Sequence, residues 1–386
     1  MSKPKIAVIL DEMSIGGIPA ACISFLKAIE DVADVTMVLE SDKGVFTSKI
    51  PSKVKIEVKP SESVSQTFSD LFKKRKYFKY LMSAFKYKFY AKTDHWIKAS
   101  TVANECKNPL LDETFDCAIA YHGMNAAQMN RTLYQIKAKK KITWIQGDHA
   151  FEDKYKKDAE EVYQKFDHIF CVSNVTKKRF LSDFPSVSDK TSVYYVHMDV
   201  DEIIAKSKAE QIQFAKDKIN LVTVGRISQE KGQDLVPGVA KILIDRGYDI
   251  NWYLVGDGAD RARIEELVIR EGVENNVIFA GNQPNPFPYI AACDLYVQPS
   301  YTEGFGMTIF EAIILGKTVV ATDVGGANEL LRDSEDLLFV QPTSKDIADG
   351  IERMLTDEAL RNHIIQNISN RDFSNNKEVE KLISMI

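Results

Sequence analysis

The sequence predicts an α/β protein built as two doubly wound, Rossmann-like domains that face a cleft. Three observations predict it. Short apolar runs of strand length alternate with amphipathic runs of helix length from end to end, the order that builds parallel sheets. At 386 residues the chain is too long for one ordinary core and suits two. The alternation lapses once, in a polar, Lys- and Gln-rich stretch between His197 and Asp217, and restarts at Ile219.

In the first half the runs place strands at 5–10, 34–39, 53–58, 116–121, 141–145, 168–172 and 192–196. Helices fill most of the gaps, among them 19–30, where Pro19 suits a first turn because its missing N–H has no intrahelical partner to lose. The second half gives strands at 219–224, 251–255, 276–279, 294–297, 318–321 and 337–340. The limits that follow are 1–200 and 218–370 for the domains and 201–217 for the connection, with 371–386 as a C-terminal segment able to pack back on the first domain.

Composition narrows the classes. Apolar residues make up 45% and charged residues 27%, as in a soluble globular protein. The net charge of −5 gives no general attraction to nucleic acid. Cys22, Cys106, Cys117, Cys171 and Cys293 are scattered without CxxC spacing, which speaks for reduced thiols and against a zinc or disulfide framework. The first apolar run stops at Asp11, too soon for a signal peptide. No run reaches the roughly 18 apolar residues of a spanning helix, so a cytoplasmic location is expected.

The most informative stretch is 298–330, QPSYTEGFGMTIFEAIILGKTVVATDVGGANEL. It reads as strand end, Gly-broken loop, helix and strand, the unit that presents a ligand at the C-terminal edge of a parallel sheet. Glu303 and Glu311 lie eight residues apart across the loop-to-helix junction, where free backbone N–H groups favour an anion. As paired acids they would suit a glycosidase; as ligands they would accept hydrogen bonds from sugar and ribose hydroxyls. Position favours ligands, since Glu311 falls about one turn into the helix, and a polyol-binding carboxylate needs no shifted pKa.

Other loops add to it. Gly16 and Gly17 follow the first strand and permit close backbone approach to a ligand, or simply form a tight turn. In 224–232, VGRISQEKG, Arg226 offers a planar fork and Lys231 a point charge, which suggests a diphosphate; solvated surface charge is the alternative. The order is not that of a Walker A loop. The stretch LVGDGADR, 254–261, approaches a GxGxxG fingerprint but has Arg261 at the last Gly, so it reads as a structural turn. His122 and His149 follow strands and could meet a phosphate or sugar, or merely cap loops. Asp199-Val200-Asp201 has DxD spacing but reads as a cap and turn. Residues 68–98 carry nine Lys or Arg among interleaved aromatics, a candidate contact to an anionic membrane surface; a solvated helix with inward aromatics is the alternative.

With those residues named, the second half resembles the donor domain of family 4 retaining glycosyltransferases of GT-B fold, the type that builds bacterial surface polysaccharide. The likeness covers about 220–340 and rests on VGRISQEKG, LVGDGADR, the E-x7-E spacing of Glu303 and Glu311, and GKTVVATDVGGANELL; the first half matches only in pattern. The resemblance implies that Arg226 and Lys231 hold a donor diphosphate and Glu311 the ribose. Glu303, with backbone N–H groups of Gly304, Phe305, Gly306, Met307 and Thr308, would bind the transferred sugar and its phosphate. Gly16 and Gly17 would approach the phosphates from the acceptor-side domain, His122 would sit near the sugar, and Asn282 would join the donor contacts. Gln146 stands where many relatives carry His.

The activity so implied is metal-independent, cofactor-free hexosyl transfer from a nucleotide sugar, UDP-linked by family habit, to a saccharide or lipid-linked acceptor. Glu303, Arg226, Lys231 and His122 are the expected catalytic group, and nucleic acid is not an expected partner. Competing readings are a non-catalytic GT-B-like subunit, a transferase extending protein O-glycans, and a glycosidase.

Overall fold

The structure is a computed structural model that describes residues 3–14, 16–63, 65–67, 69, 77–93, 95–147 and 152–386. It divides into two compact units, Met1–His197 with Asn376–Ile386, and Met198–Asn375.

The first unit is organised on seven strands: β1 Lys5–Leu10, β2 Asp34–Leu39, β3 Lys55–Val58, β4 Thr114–Ala120, β5 Lys137–Ile145, β6 His168–Cys171 and β7 Thr191–Val193. Their order is β3-β2-β1-β4-β5-β6-β7, with β1 in parallel register against both neighbours, Ile9 opposite Val38 on one side and Ala120 on the other. Ile6 to Leu10 are buried on both faces, as helix-covered parallel strands are. The helix Gly17–Ile29 covers one face and sends Phe25 to within 5.4 Å of the Tyr121 ring and 5.3 Å of Trp144.

The second unit has β8 Ile219–Val224, β9 Ile250–Val255, β10 Val277–Gly281, β11 Leu295–Gln298, β12 Val319–Thr322 and β13 Leu338–Val340, ordered β10-β9-β8-β11-β12-β13. All the pairings are parallel. Both sheets therefore reverse direction once, between β1 and β4 and between β8 and β11. At such a switch point the loops leaving neighbouring strands diverge and leave a crevice at the C-terminal edge.

Every strand run read from the sequence forms a strand, with shifted ends. The largest shift is in β5, expected from 141 and starting at Lys137. Its exposed lysines hide the strand from apolar patterning, but the backbone ladder to β4 begins at Thr114 opposite Lys137. Residues 201–217, expected as a connection, fall inside the second unit. The helix Val200–Ser207, capped by Asp199 Oδ1 accepting from the Glu202 N–H at 3.0 Å, buries Ile203 and packs on the helices Phe287–Ala292 and Met307–Ile314. The helix Lys377–Met385 belongs to the first unit, where Lys140 donates to the Met385 carbonyl and Lys381 to that of Val193. Among the described residues no helix is long and apolar enough to cross a membrane.

Candidate active site

Two loops meet at the switch point of the second sheet. The loop after β8 is pinned by backbone: Gly225 N–H donates to Val255 O at 3.0 Å and Ile227 N–H to Asp257 O at 3.0 Å. A Cβ on Gly256 would lie 2.0 Å from Gly225 O, and one on Gly258 2.1 Å from Ile227 O. The GDG turn after β9 is thus a packing device that fixes the Arg226 loop. The β8 loop continues through Gly232, held at φ 66°, where a Cβ would meet Pro299 O at 2.0 Å. That approach lets Glu230 O accept from the N–H groups of Tyr301 and Thr302 at 2.9 and 3.2 Å, locking the β8 and β11 loops together.

The lock brings Lys231 to Glu303. Lys231 Nζ donates to both carboxylate oxygens, at 2.9 and 2.8 Å, and the Glu303 side chain is 6% exposed. Behind the pair runs a buried relay. Ser300 Oγ donates to Glu303 Oε1 at 2.8 Å, and Gln298 Nε2 donates to Ser300 Oγ at 2.9 Å. Gln298 Oε1 in turn accepts from the hydroxyls of Tyr296 at 2.7 Å and Thr308 at 3.1 Å. A fully bonded network of this kind specifies one geometry in a low dielectric. Its last member, Thr308, lies in the first turn of the helix Met307–Ile314, so the relay ties Glu303 to that helix N-terminus, whose leading N–H groups have no intrahelical acceptor.

Gly306 starts the helix at φ 86°, a left-handed conformation that glycine adopts without strain. Phe305, with its ring stacked on Phe310 at 4.7 Å, anchors the loop, and Gly304 and Met307 flank it. Glu311, one turn further on, is buried, and burial raises its pKa to about 7 while Lys206 pulls the other way. The sequence expectation that these carboxylates need no shifted pKa does not hold for Glu311, because among the described residues no side chain hydrogen-bonds its carboxyl. The case against an acid/base pair rests instead on Glu303, whose two oxygens are both taken by Lys231.

Arg226 stands apart. Its side chain is 67% exposed and donates to Glu230 Oε1 at 3.0 Å, while its carbonyl is held by Gln233 Nε2 at 2.9 Å. Asn282 is exposed beyond β10, a strand that β9 separates from β8 in the sheet.

In the first unit, Gly16 and Gly17 follow β1 and His122 follows β4, on either side of that sheet's switch point. Neither glycine is demanded by packing. Gly16 is extended, at φ 163°; a Cβ there would come no nearer than 3.8 Å to Pro19, and one on Gly17 would touch nothing within 4 Å. His122 is half-buried beside Gly123, whose N–H donates to Trp144 O at 2.7 Å. Gln146 donates to Tyr121 O at 2.7 Å. His149 lies outside the described residues, as do Lys73, Lys74, Arg75 and Lys76 of the basic stretch.

Sequence reasoning missed Gln298, Ser300 and Glu230. The available signal was Gln298, a polar residue closing the apolar strand Leu-Tyr-Val-Gln.

A family model described as glycosyl transferases group 1 matches residues 205–371. The segment 205–371 is therefore similar to the glycosyl transferases group 1 family. The matched segment contains the Lys231–Glu303 pair, its relay and Glu311. Among curated relatives, this chain is similar to alpha-D-kanosaminyltransferase of Streptomyces kanamyceticus, 31% identical over 172 residues, 44% of this chain and 45% of that one. It is also similar to N-acetylgalactosamine-N,N'-diacetylbacillosaminyl-diphospho-undecaprenol 4-alpha-N-acetylgalactosaminyltransferase of Campylobacter jejuni, 28% identical over 203 residues, 52% and 54% of the two chains. The chain thus spans about half the length of the curated relatives it matches.

Solved structures extend the likeness over both units. Anabaena Alr3699/HepE, crystallised with UDP and glucose, superposes with a TM-score of 0.74 at 19% identity over 99% of this chain and 100% of that one. WaaG, a glycosyltransferase of lipopolysaccharide biosynthesis, does so at 0.61 and 15% over 99% of each. The fold is therefore GT-B, two parallel α/β sheets.

Proposed function

We propose that the chain is a retaining glycosyltransferase that moves a hexose-type sugar from a nucleoside diphosphate donor, a UDP-sugar, to a saccharide or lipid-linked acceptor in surface glycoconjugate synthesis. The observation that carries this reading is the buried Lys231–Glu303 pair, tied through Ser300 and Gln298 to the N-terminus of the helix that bears Glu311. That one constellation offers a cation and free N–H groups for a diphosphate, and two carboxylates for hydroxyls. The relatives' sugar transfers and the UDP held by the Anabaena protein support the donor class.

The roles follow from charge. As the bond between the sugar carbon and the phosphate oxygen breaks, the leaving diphosphate gains negative charge, which Lys231, Arg226 and the helix N–H groups stabilise in a preorganised setting. Glu303, with both oxygens bonded to Lys231, suits a sugar-orienting ligand better than a nucleophile. The acceptor oxygen then attacks from the face the phosphate leaves, and its proton passes to a phosphate oxygen. Gly16, Gly17 and His122 flank the switch point of the first unit's own sheet.

The test is a thermal-shift screen of UDP, GDP, ADP and their sugars on the wild type and Arg226→Ala. Arg226 is exposed, so its loss leaves the fold intact. UDP at about 100 times its Kd should stabilise the wild type by about 2.7 kcal/mol and the variant by clearly less. Equal stabilisation of both, or none by any nucleotide, sinks the assignment.

A further inference from the structure

The first unit contains a cavity of about 220 Å³ on the flank of its sheet, walled by the segment after β3, the chain leading into β4 and the helix Ala126–Gln135. Three cations line it: Lys59, Lys107 and Arg131. The Arg131 side chain is 3% exposed and is fixed in place, with Nη2 donating to Lys59 O at 2.5 Å and Nη1 lying 3.5 Å from Glu40. Lys59 pairs with Glu57 at 3.2 Å. Lys107 is half-buried and, among the described residues, has no ion-pair or hydrogen-bond partner for its ammonium. Glu62 lies exposed at the rim, and Ser61 and Gln135 add polar groups to the wall.

A half-buried ammonium beside a buried guanidinium is unfavourable unless something negative sits between them. Burial first, and then the Arg131 charge, pull the Lys107 pKa below its usual value, with Glu62 and Glu40 only partly opposing. The carboxylate nearest Arg131 is already engaged, and Glu62 stays in solvent. A tetrahedral oxyanion meets the need: it accepts from the Lys107 point charge and from neutral donors on the wall at once. We propose that this pocket binds a compact phosphate-class anion, either free phosphate or the terminal phosphate of a larger ligand, through Lys107 with Arg131 as the fixed positive wall. The site lies in the first unit and is separate from the diphosphate site assigned to Arg226 and Lys231, so it stands or falls independently of that assignment.

The test reads the lysine directly on the wild-type chain. Acetylation of Lys107 by a lysine-selective reagent is followed by mass spectrometry, with exposed Lys43 as the internal control, in sodium chloride, inorganic phosphate or glycerol phosphate at matched ionic strength. At an anion concentration about four times its Kd, mass action slows Lys107 labelling about fivefold and leaves Lys43 unchanged. Stronger protection by glycerol phosphate supports the end of a larger ligand, and equal or stronger protection by inorganic phosphate supports the free ion. Protection by chloride as strong as that by phosphate, or no protection by either phosphate, overturns the proposal.

Discussion

Breaking the Lys231–Glu303 pair from one side should cost more than removing it whole. Lys231→Ala leaves a carboxylate buried without its counter-charge, and about 3 kcal/mol of stability should be lost, the low end for a buried pair because a quarter of the Lys231 side chain reaches solvent. Adding Glu303→Gln should return most of that loss in urea unfolding without restoring activity. Glu311 makes a second prediction. Its folded pKa, about 7, is above its unfolded value, so between roughly pH 4.5 and 7 the native state holds a proton that the unfolded state has released. Stability therefore falls across that window by up to about 3 kcal/mol and is level above it. Glu311→Gln should flatten the slope measured at pH 5 and pH 8. A ribose hydroxyl donating to this carboxyl favours the ionised form, so nucleotide binding at pH 7 should release protons and its calorimetric heat should change with buffer. Glu303, Glu311 and Lys231 were legible in the sequence because Gly-broken loops between strand and helix mark where a sheet opens. Gln298 and Ser300 were not, because a polar residue ending an apolar strand looks the same whether it meets solvent or a buried relay.

At the scale of elements, the helix Tyr77–Lys92 is the least satisfied by its own unit. Leu81, Phe85 and Phe89 are 63%, 70% and 55% exposed along one stripe, beside exposed Met82, Lys86, Lys88 and Lys92. Basic residues flanking outward aromatics suit an anionic bilayer surface. Replacing Phe85 and Phe89 with Ser should weaken flotation with anionic liposomes roughly tenfold or more, at about 1 kcal/mol or more of apolar transfer for each ring, while thermal stability stays the same. Unchanged flotation would show that the stripe serves something else. Periodicity announced a basic, aromatic helix here, but which way the rings pointed depended on a neighbour, the helix Trp96–Glu105, that no local pattern specifies. The GDG turn after β9 is a parallel case: its glycines looked like half a nucleotide fingerprint and serve a non-local contact with the β8 loop.

At the scale of the molecule, both sheets repeat one design: among the described residues, Gly16, Gly17, His122, Arg226, Lys231, Glu303 and Glu311 each sit in a loop leaving a strand beside the switch, or in the helix that such a loop starts. This much was readable from strand order, since alternating runs and right-handed crossovers leave few topologies. In the proposed reaction cations and helix N–H groups carry the leaving-group charge, so turnover should survive chelation by EDTA; a loss restored by a divalent cation would reassign that role.

The first unit also includes a part of the chain made after the whole of the second. Lys381 reaches the Val193 carbonyl and Met385 takes a bond from Lys140, both across about 200 residues of intervening sequence or more. As the chain leaves the ribosome, the early sheet must wait, with one flank uncovered, while the later unit is synthesised and folds. A nascent chain stalled before residue 376 should therefore be more sensitive to protease in its first unit than the released protein, a vulnerability set by the order of synthesis.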